Sequence, residues 1–223
     1  MKKFELTTET KINILGKKLF RIKALISFGP ISAGEKGGWV EKEENLSQSG
    51  NAWVSGNAEV SGDACVRGNA WIRDNAWVSD NTEISGDAEV CDNACVRGNA
   101  CVCDNAYIAG NAEVSGNACV RGNACVRDNT EISGDAEVCD NAEVSGNARV
   151  SGNADYTTIH GFGTYFRTTT FFRCKDKEIR CKCGCFYGTI LEFREQVKNT
   201  RKGKIAEEYL MIADLMEKHF KKE

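Results

Sequence analysis

The stretch Gly50-Asn-Ala-Trp-Val-Ser-Gly-Asn-Ala-Glu-Val-Ser-Gly-Asp-Ala-Cys-Val-Arg67 decides the fold. It is three copies of one hexad, Gly/Asp-Asn/Asp-Ala-x-Val-x, and the pattern continues without a break. Val54, Val60, Val66, Ile72, Val78, Ile84 and every sixth residue onward to Val150 are β-branched, and Tyr156 falls in the same register. Alternation along a strand sends the small and the β-branched residue to one face and the x positions to the other. Gly, Asn and Asp tolerate positive φ at least cost, so each hexad ends in a turn. Three short strands and three corners close a triangular coil of eighteen residues, and stacked coils pair each strand with those above and below it. The fold class is mainly β, a single-stranded parallel β-helix, in which residues eighteen apart are neighbours at roughly 4.8 Å.

The hexads are interchangeable. Asp80-Asn-Thr-Glu-Ile-Ser-Gly-Asp-Ala-Glu-Val-Cys-Asp-Asn-Ala94 recurs from Asp128 to Ala142, displaced by forty-eight residues. That is eight hexads but not a whole number of coils, so the copy sits on a rotated face, which argues against one fixed three-sided ligand site along the rod.

Stacking at eighteen yields three outward ladders: Trp53, Trp71, Glu89, Tyr107, Cys125 and Glu143; Glu59, Trp77, Cys95, Glu113, Glu131 and Arg149; and Cys65, Glu83, Cys101, Cys119, Glu137 and Asp155. Trp53 and Trp71 are expected to stack. Exposed aromatics at one end of a rod, Trp53, Trp71 and Trp77 with Tyr107, form a candidate contact surface; the equal alternative is that the N-terminal segment folds over them. Arg67, Arg73, Arg121 and Arg127 are candidates for holding a nucleotide or other small anion in clefts between rods. The eight repeat cysteines all take outward positions, with Cys103 beside the neighbours Cys101 and Cys119. Flat ladders do not converge four ligands tetrahedrally, and no histidine accompanies them.

The rod is predicted over residues 52–156, between an N-terminal β cap (1–51) and a C-terminal α/β cap (157–223). In the first, Ile12-Ile14 reads as a hairpin with Leu19-Phe20-Ile22. Val40 and Leu46 are six apart but Leu46 and Val54 eight, which predicts a distorted first coil. In the second, Thr168 to Cys174 and Ile179 to Phe186 read as a hairpin. A capping box of Thr189 with Glu192 opens a helix from Ile190 to Lys198, and Ile205 to Phe220 has apolar residues at helical spacing, giving a ββαα cap. Cys174, Cys181, Cys183 and Cys185 are the candidate metal ligands. Ligands two apart on a strand lie ~6.6 Å from each other, too far to share one zinc unless Gly184 bends the chain.

Composition agrees with this reading. Twenty-two glycines, one proline and 9% aromatics leave the core to small and β-branched side chains. A net charge of −3 offers no basic field for a phosphate backbone, so bulk nucleic-acid binding is disfavoured. The N-terminus lacks the apolar run of a signal peptide or membrane span, which places the chain in the cytoplasm, away from membranes, with its twelve cysteines reduced.

Phe28-Gly-Pro-Ile-Ser-Ala-Gly-Glu-Lys-Gly-Gly-Trp-Val-Glu41, Asn45-Leu-Ser47, Gly50-Asn-Ala-Trp-Val54 and the repeats resemble bacterial and phage hexapeptide-repeat proteins of the YdcK type, often labelled acetyltransferases. Cys183-Gly-Cys-Phe-Tyr-Gly-Thr189 is similar to a module on short members of that group. The resemblance implies a left-handed β-helix and carries no established activity. Hexapeptide acyltransferases use a histidine base beside an extruded loop. Here no loop interrupts the hexads, and of the two histidines His160 is the one catalytic candidate, His219 lying on the terminal helix. The expected function is therefore a non-catalytic scaffold or binding module, without cofactor, that self-associates as a homo-oligomer or docks a protein partner. The alternatives are an acyl-CoA-dependent acyltransferase and a phage-type protein that binds a small molecule or nucleotide.

Overall fold

The computed structural model describes residues 1–221. The chain opens with strands β1 (Phe4–Ile12), β2 (Lys18–Ala24) and β3 (Lys36–Val40). Two-residue strands then follow every six residues, β4 (Trp53–Val54) to β20 (Arg149–Val150). They stack into a parallel β-solenoid of about six turns. Its walls run β3-β5-β8-β11-β14-β17-β20, β4-β7-β10-β13-β16-β19 and β6-β9-β12-β15-β18. The register is the expected eighteen: Glu89 lies opposite Trp71 and Tyr107, and Cys101 opposite Glu83 and Cys119. Alanines and β-branched residues of the repeats fill the interior with no exposed surface, as at Ala58, Val60, Ile72 and Val126. The first coil is distorted as predicted. Val40 pairs with Val60 and Leu46 bridges to Val66, each across twenty residues rather than eighteen.

Corner chemistry repeats as regularly as the core. Asparagines stack in ladders, each Nδ2 donating to the Oδ1 of the residue eighteen on: Asn57 to Asn75, Asn93, Asn111 and Asn129 at 3.1–3.2 Å. Asp80, Asp92, Asp104 and Asp128 hold left-handed corners at φ 60° to 65° where glycine is otherwise used. Each accepts the amide of the corner glycine one coil on, at 2.8–3.1 Å, which offsets the backbone strain.

The ladder has a polarity that dictates its caps. Every strand amide donates to the next coil, Trp53 to Ala70 and Glu59 to Ala76. The first coil is thus left with free carbonyls and the last with free amides, and buried groups of either kind need partners. Donors close the first end on all three walls: the amides of Trp39 in β3 and of Glu41 just after it onto Ala58 and Val60, Lys3 Nζ onto Ala52 (2.8 Å), and Asn45 Nδ2 onto Gly62 and Ala64. Acceptors close the last. Asn153 Oδ1 takes the amide of Glu137, Thr170 Oγ1 that of Glu143, and the Asp155 carboxylate that of Ser151.

The end pieces depart from expectation in three places. The first hairpin pairs Phe4–Ile12 with Lys18–Ala24, and Ile14 and Leu15 fall in its turn, held by Asn13 Oδ1 accepting from the amides of Leu15 and Lys17. At the other end Tyr156 does not close a coil: it opens β21 (Tyr156–Phe162), antiparallel to β22 (Arg167–Arg173), with Tyr156 opposite Phe172. The stretch read as one strand to Phe186 is two, β23 (Ile179–Cys183) and β24 (Phe186–Thr189), because Gly184 turns the chain at φ +59°. The cap is therefore a four-stranded antiparallel sheet followed by helices α1 (Ile190–Thr200) and α2 (Gly203–Phe220), not ββαα. The capping box forms as read, Glu192 accepting from the Thr189 amide at 2.7 Å. Alternation along β22 joins the cap to the rod: Phe172 and Cys174 enter the rod's core, while Phe171 packs on Phe193 of α1. No described helix is long and apolar enough to cross a membrane.

Candidate functional site

The aromatic surface read from the sequence is largely an interior. Trp53 is fully buried, with Phe4 and Phe28 edge-on to its indole at 6.5 and 5.4 Å. Those two rings, rather than Trp71, are its aromatic partners, and the N-terminal segment is the cover, so Trp53 is withdrawn as a contact residue. Trp71, Trp77 and Tyr107 are half-buried on the walls.

The arginines of the walls are not free for an anion. Arg67 pairs with Glu83, Arg73 with Glu89, Arg97 with Glu113 (3.0 Å), Arg121 with Glu137 (2.5 Å) and Arg127 with Glu143 (3.8 Å). Each partner lies sixteen residues on, since the x position after one valine abuts the x position before the valine of the next coil. The candidate anion site at Arg67, Arg73, Arg121 and Arg127 is therefore a set of internal ion pairs.

Burial raises the thiols of Cys91, Cys95, Cys101, Cys103, Cys119, Cys125 and Cys139 above their ordinary range, Cys95 to about 11 and Cys101 to about 12, with Cys103 and Cys119 adding to the effect at Cys101. They are protonated at neutral pH, which makes them poor nucleophiles and poor metal ligands. One of the eight, Cys91, is buried outright, its thiol donating to Tyr107 Oη at 3.3 Å. It belongs to the one three-ligand grouping among the described residues, with Asp74 and Asp92, whose contacts are with the protein itself. The four terminal cysteines do not converge. Cys174 faces the rod's core, Cys181 the helices, Cys183 a recess, and Cys185 stands exposed beyond the Gly184 turn.

His160 is exposed near the end of β21, and His219 is exposed on α2 with its ring against Phe220. Neither has an acidic partner among the described residues.

The site that sequence reasoning missed lies in the cap. Two adjoining recesses of about 190 and 80 Å³ share Arg167, Cys183, Arg201 and Tyr209, and none of the described residues in their lining is a carboxylate. The larger is floored by Phe186, Phe193 and Val197. Burial holds the Tyr209 phenol above its usual range, so it is a neutral donor, bonded to the carbonyl of Phe162 at 3.4 Å. No family profile matches this chain, and no curated protein is significantly similar to it. Two signals were visible in the sequence: the basic run Lys198-Asn-Thr-Arg-Lys-Gly-Lys204 between the helices, and glycines at 163 and 184 where the chain turns.

Proposed function

We propose that this protein is a non-catalytic scaffold: a rigid rod of the hexapeptide-repeat kind, left-handed as its resemblance implies, that self-associates along a wall and carries a binding module at its C-terminal end. The observation that carries the reading is the sixteen-residue ion-pair pattern. Wall arginines meet glutamates of the same chain, the walls are flat, and the concave surface described above lies in the cap. Work in the cytoplasm is part of the proposal, supported by thiols set out on open walls rather than in a disulfide framework.

Association is assigned to Trp71, Trp77 and Tyr107, the aromatics that remain on the walls. Light scattering of the parent beside a Trp71→Ala, Trp77→Ala variant tests it. The expected result is an oligomer that the double substitution dissociates while the circular dichroism of the rod stays unchanged. A monomeric parent at the highest soluble concentration would remove self-association from the proposal.

A further inference from the structure

Twelve arginines occur in the chain, and among the described residues nine of them lie within 4 Å of a carboxylate. The others are Arg21, Arg167 and Arg201. Arg21 covers the Trp39 ring at 5.0 Å and lines neither recess, whereas Arg167 covers the Tyr165 ring at 5.1 Å within the lining of the smaller one, a contact through the guanidinium face that leaves its edge N–H groups to donate. Arg167 and Arg201 come from different elements of the cap, one from the start of β22 and one from the residue after α1, and both line the recess that also holds Tyr209.

The recess is shaped by left-handed backbone that favours glycine. Gly184 is left-handed, and a Cβ there would come within 2.5 Å of Arg167 Nη1. Gly163 is left-handed too, and a Cβ on it would run into the Tyr209 hydroxyl. Both turns thus make room for polar groups that face the opening. Arg201 also precedes the N-terminus of α2, which has no side-chain cap and no acidic residue in its first turn.

We propose that this recess binds a small molecule bearing an oxyanion, a phosphate monoester or carboxylate, with the anion between Arg167 and Arg201 and an apolar or aromatic body on Phe186, Phe193 and Val197. The proposal deepens the reading of the cap as a binding module. Guanidinium groups bond oxyanions through paired N–H donors. The small volume favours a compact ligand over a polymer: a nucleic-acid strand needs a groove that tracks several phosphates.

The test is calorimetric titration of the full chain with phenyl phosphate and benzoate as the two oxyanion arms and benzyl alcohol as the neutral control. At least one oxyanion is expected to bind with a Kd below about 1 mM, benzyl alcohol much more weakly. Arg167→Gln and Arg201→Gln each remove a side chain with no acidic partner among the described residues, so the fold is expected to be retained, and each is expected to weaken binding about tenfold. Gly184→Ala is expected to weaken it as well by displacing Arg167. Equal binding of benzyl alcohol, binding unchanged in both glutamine variants, or no oxyanion binding at about 10 mM would overturn the proposal. So would a single-stranded oligonucleotide that binds where phenyl phosphate does not. Light scattering of the two arginine variants should give the parent's mass, which separates a failure here from a failure of self-association.

Discussion

Asn93 uses its amide in both directions, Oδ1 accepting from Asn75 and Nδ2 donating to Asn111, each at 3.2 Å. Asn129, at the end of the same ladder, accepts from Asn111. An aspartate accepts but cannot donate, so the two positions should respond differently to the same change. Asn93→Asp sets carboxylate against carbonyl oxygen and is expected to cost about 1 kcal/mol. Asn129→Asp keeps the bond it makes and should be close to neutral, as Asp87 and Asp135 are where they end the runs from Asn69 and Asn117. Urea unfolding of the two variants checks the contrast, and equal losses would mean that the stacking carries no directional energy. Lys3 yields a pH test of another kind. Burial lowers its pKa to about 8, below the 10.5 of an unburied lysine. Between those values the unfolded chain keeps a proton that the folded one has released, so this residue's contribution to stability rises with pH across the window. The buried thiols act oppositely. From about pH 9 they ionise in the unfolded chain first, and stability falls. Comparison with Lys3→Met cancels the thiols: the parent should gain on the variant from pH 7 to pH 9, and a constant difference would show that Lys3 titrates as an exposed lysine.

Pairs of strands carry the wall charges, and there the order of the charges along the chain matters. Arg97 and Glu113 are both about half exposed, so their pairing contributes no more than about 0.5–1 kcal/mol. Arg97→Glu places two carboxylates together and should destabilise by a similar amount. Adding Glu113→Arg should restore the loss, and a double variant no better than the single one would show that the pair is ornamental. This pattern was legible before any coordinates: Arg67, Arg73, Arg97, Arg121 and Arg127 all have glutamate sixteen residues on. Ladders drawn at eighteen pass over it, because the x positions before and after a valine meet diagonally. The hexads themselves were legible to the residue, since a period imposed by corners of fixed chemistry leaves no freedom of register. Trp53 was not: its position in the repeat matches that of Trp71, and only the separate hairpin carrying Phe4 and the loop carrying Phe28 bury it. Nor was the recess of the cap. Arg167 and Arg201 are thirty-four residues apart, and what unites them is how β22 and the helices pack, about which no local pattern speaks.

The rod as a whole is a polar stack whose ends accept different chemistry, hydrogen-bond donors at the first coil and acceptors at the last. Its length is therefore free, but only in steps that preserve corner, core and wall together. Removal of residues 98–115 takes out one coil and joins Arg97 to Gly116, and the new partner sixteen positions after Arg97 is Glu131. Core, asparagine ladders and ion pairs all find equivalents, so this chain should fold cooperatively with a rod shorter by about 4.8 Å. Removal of residues 98–103 also leaves every valine inward, but it turns the cap by one wall relative to the first hairpin and sets Arg97 against Cys119. That chain should fold with a lower melting temperature. Removal of residues 98–100 alone puts corner residues where the core needs valine and should abolish the cooperative transition of the later coils. Small-angle scattering and thermal melts of the three chains read both length and cooperativity. A three-residue deletion as stable as the eighteen-residue one would mean that the valine ladder does not set the stacking, and the wall assignments built on it would go with it.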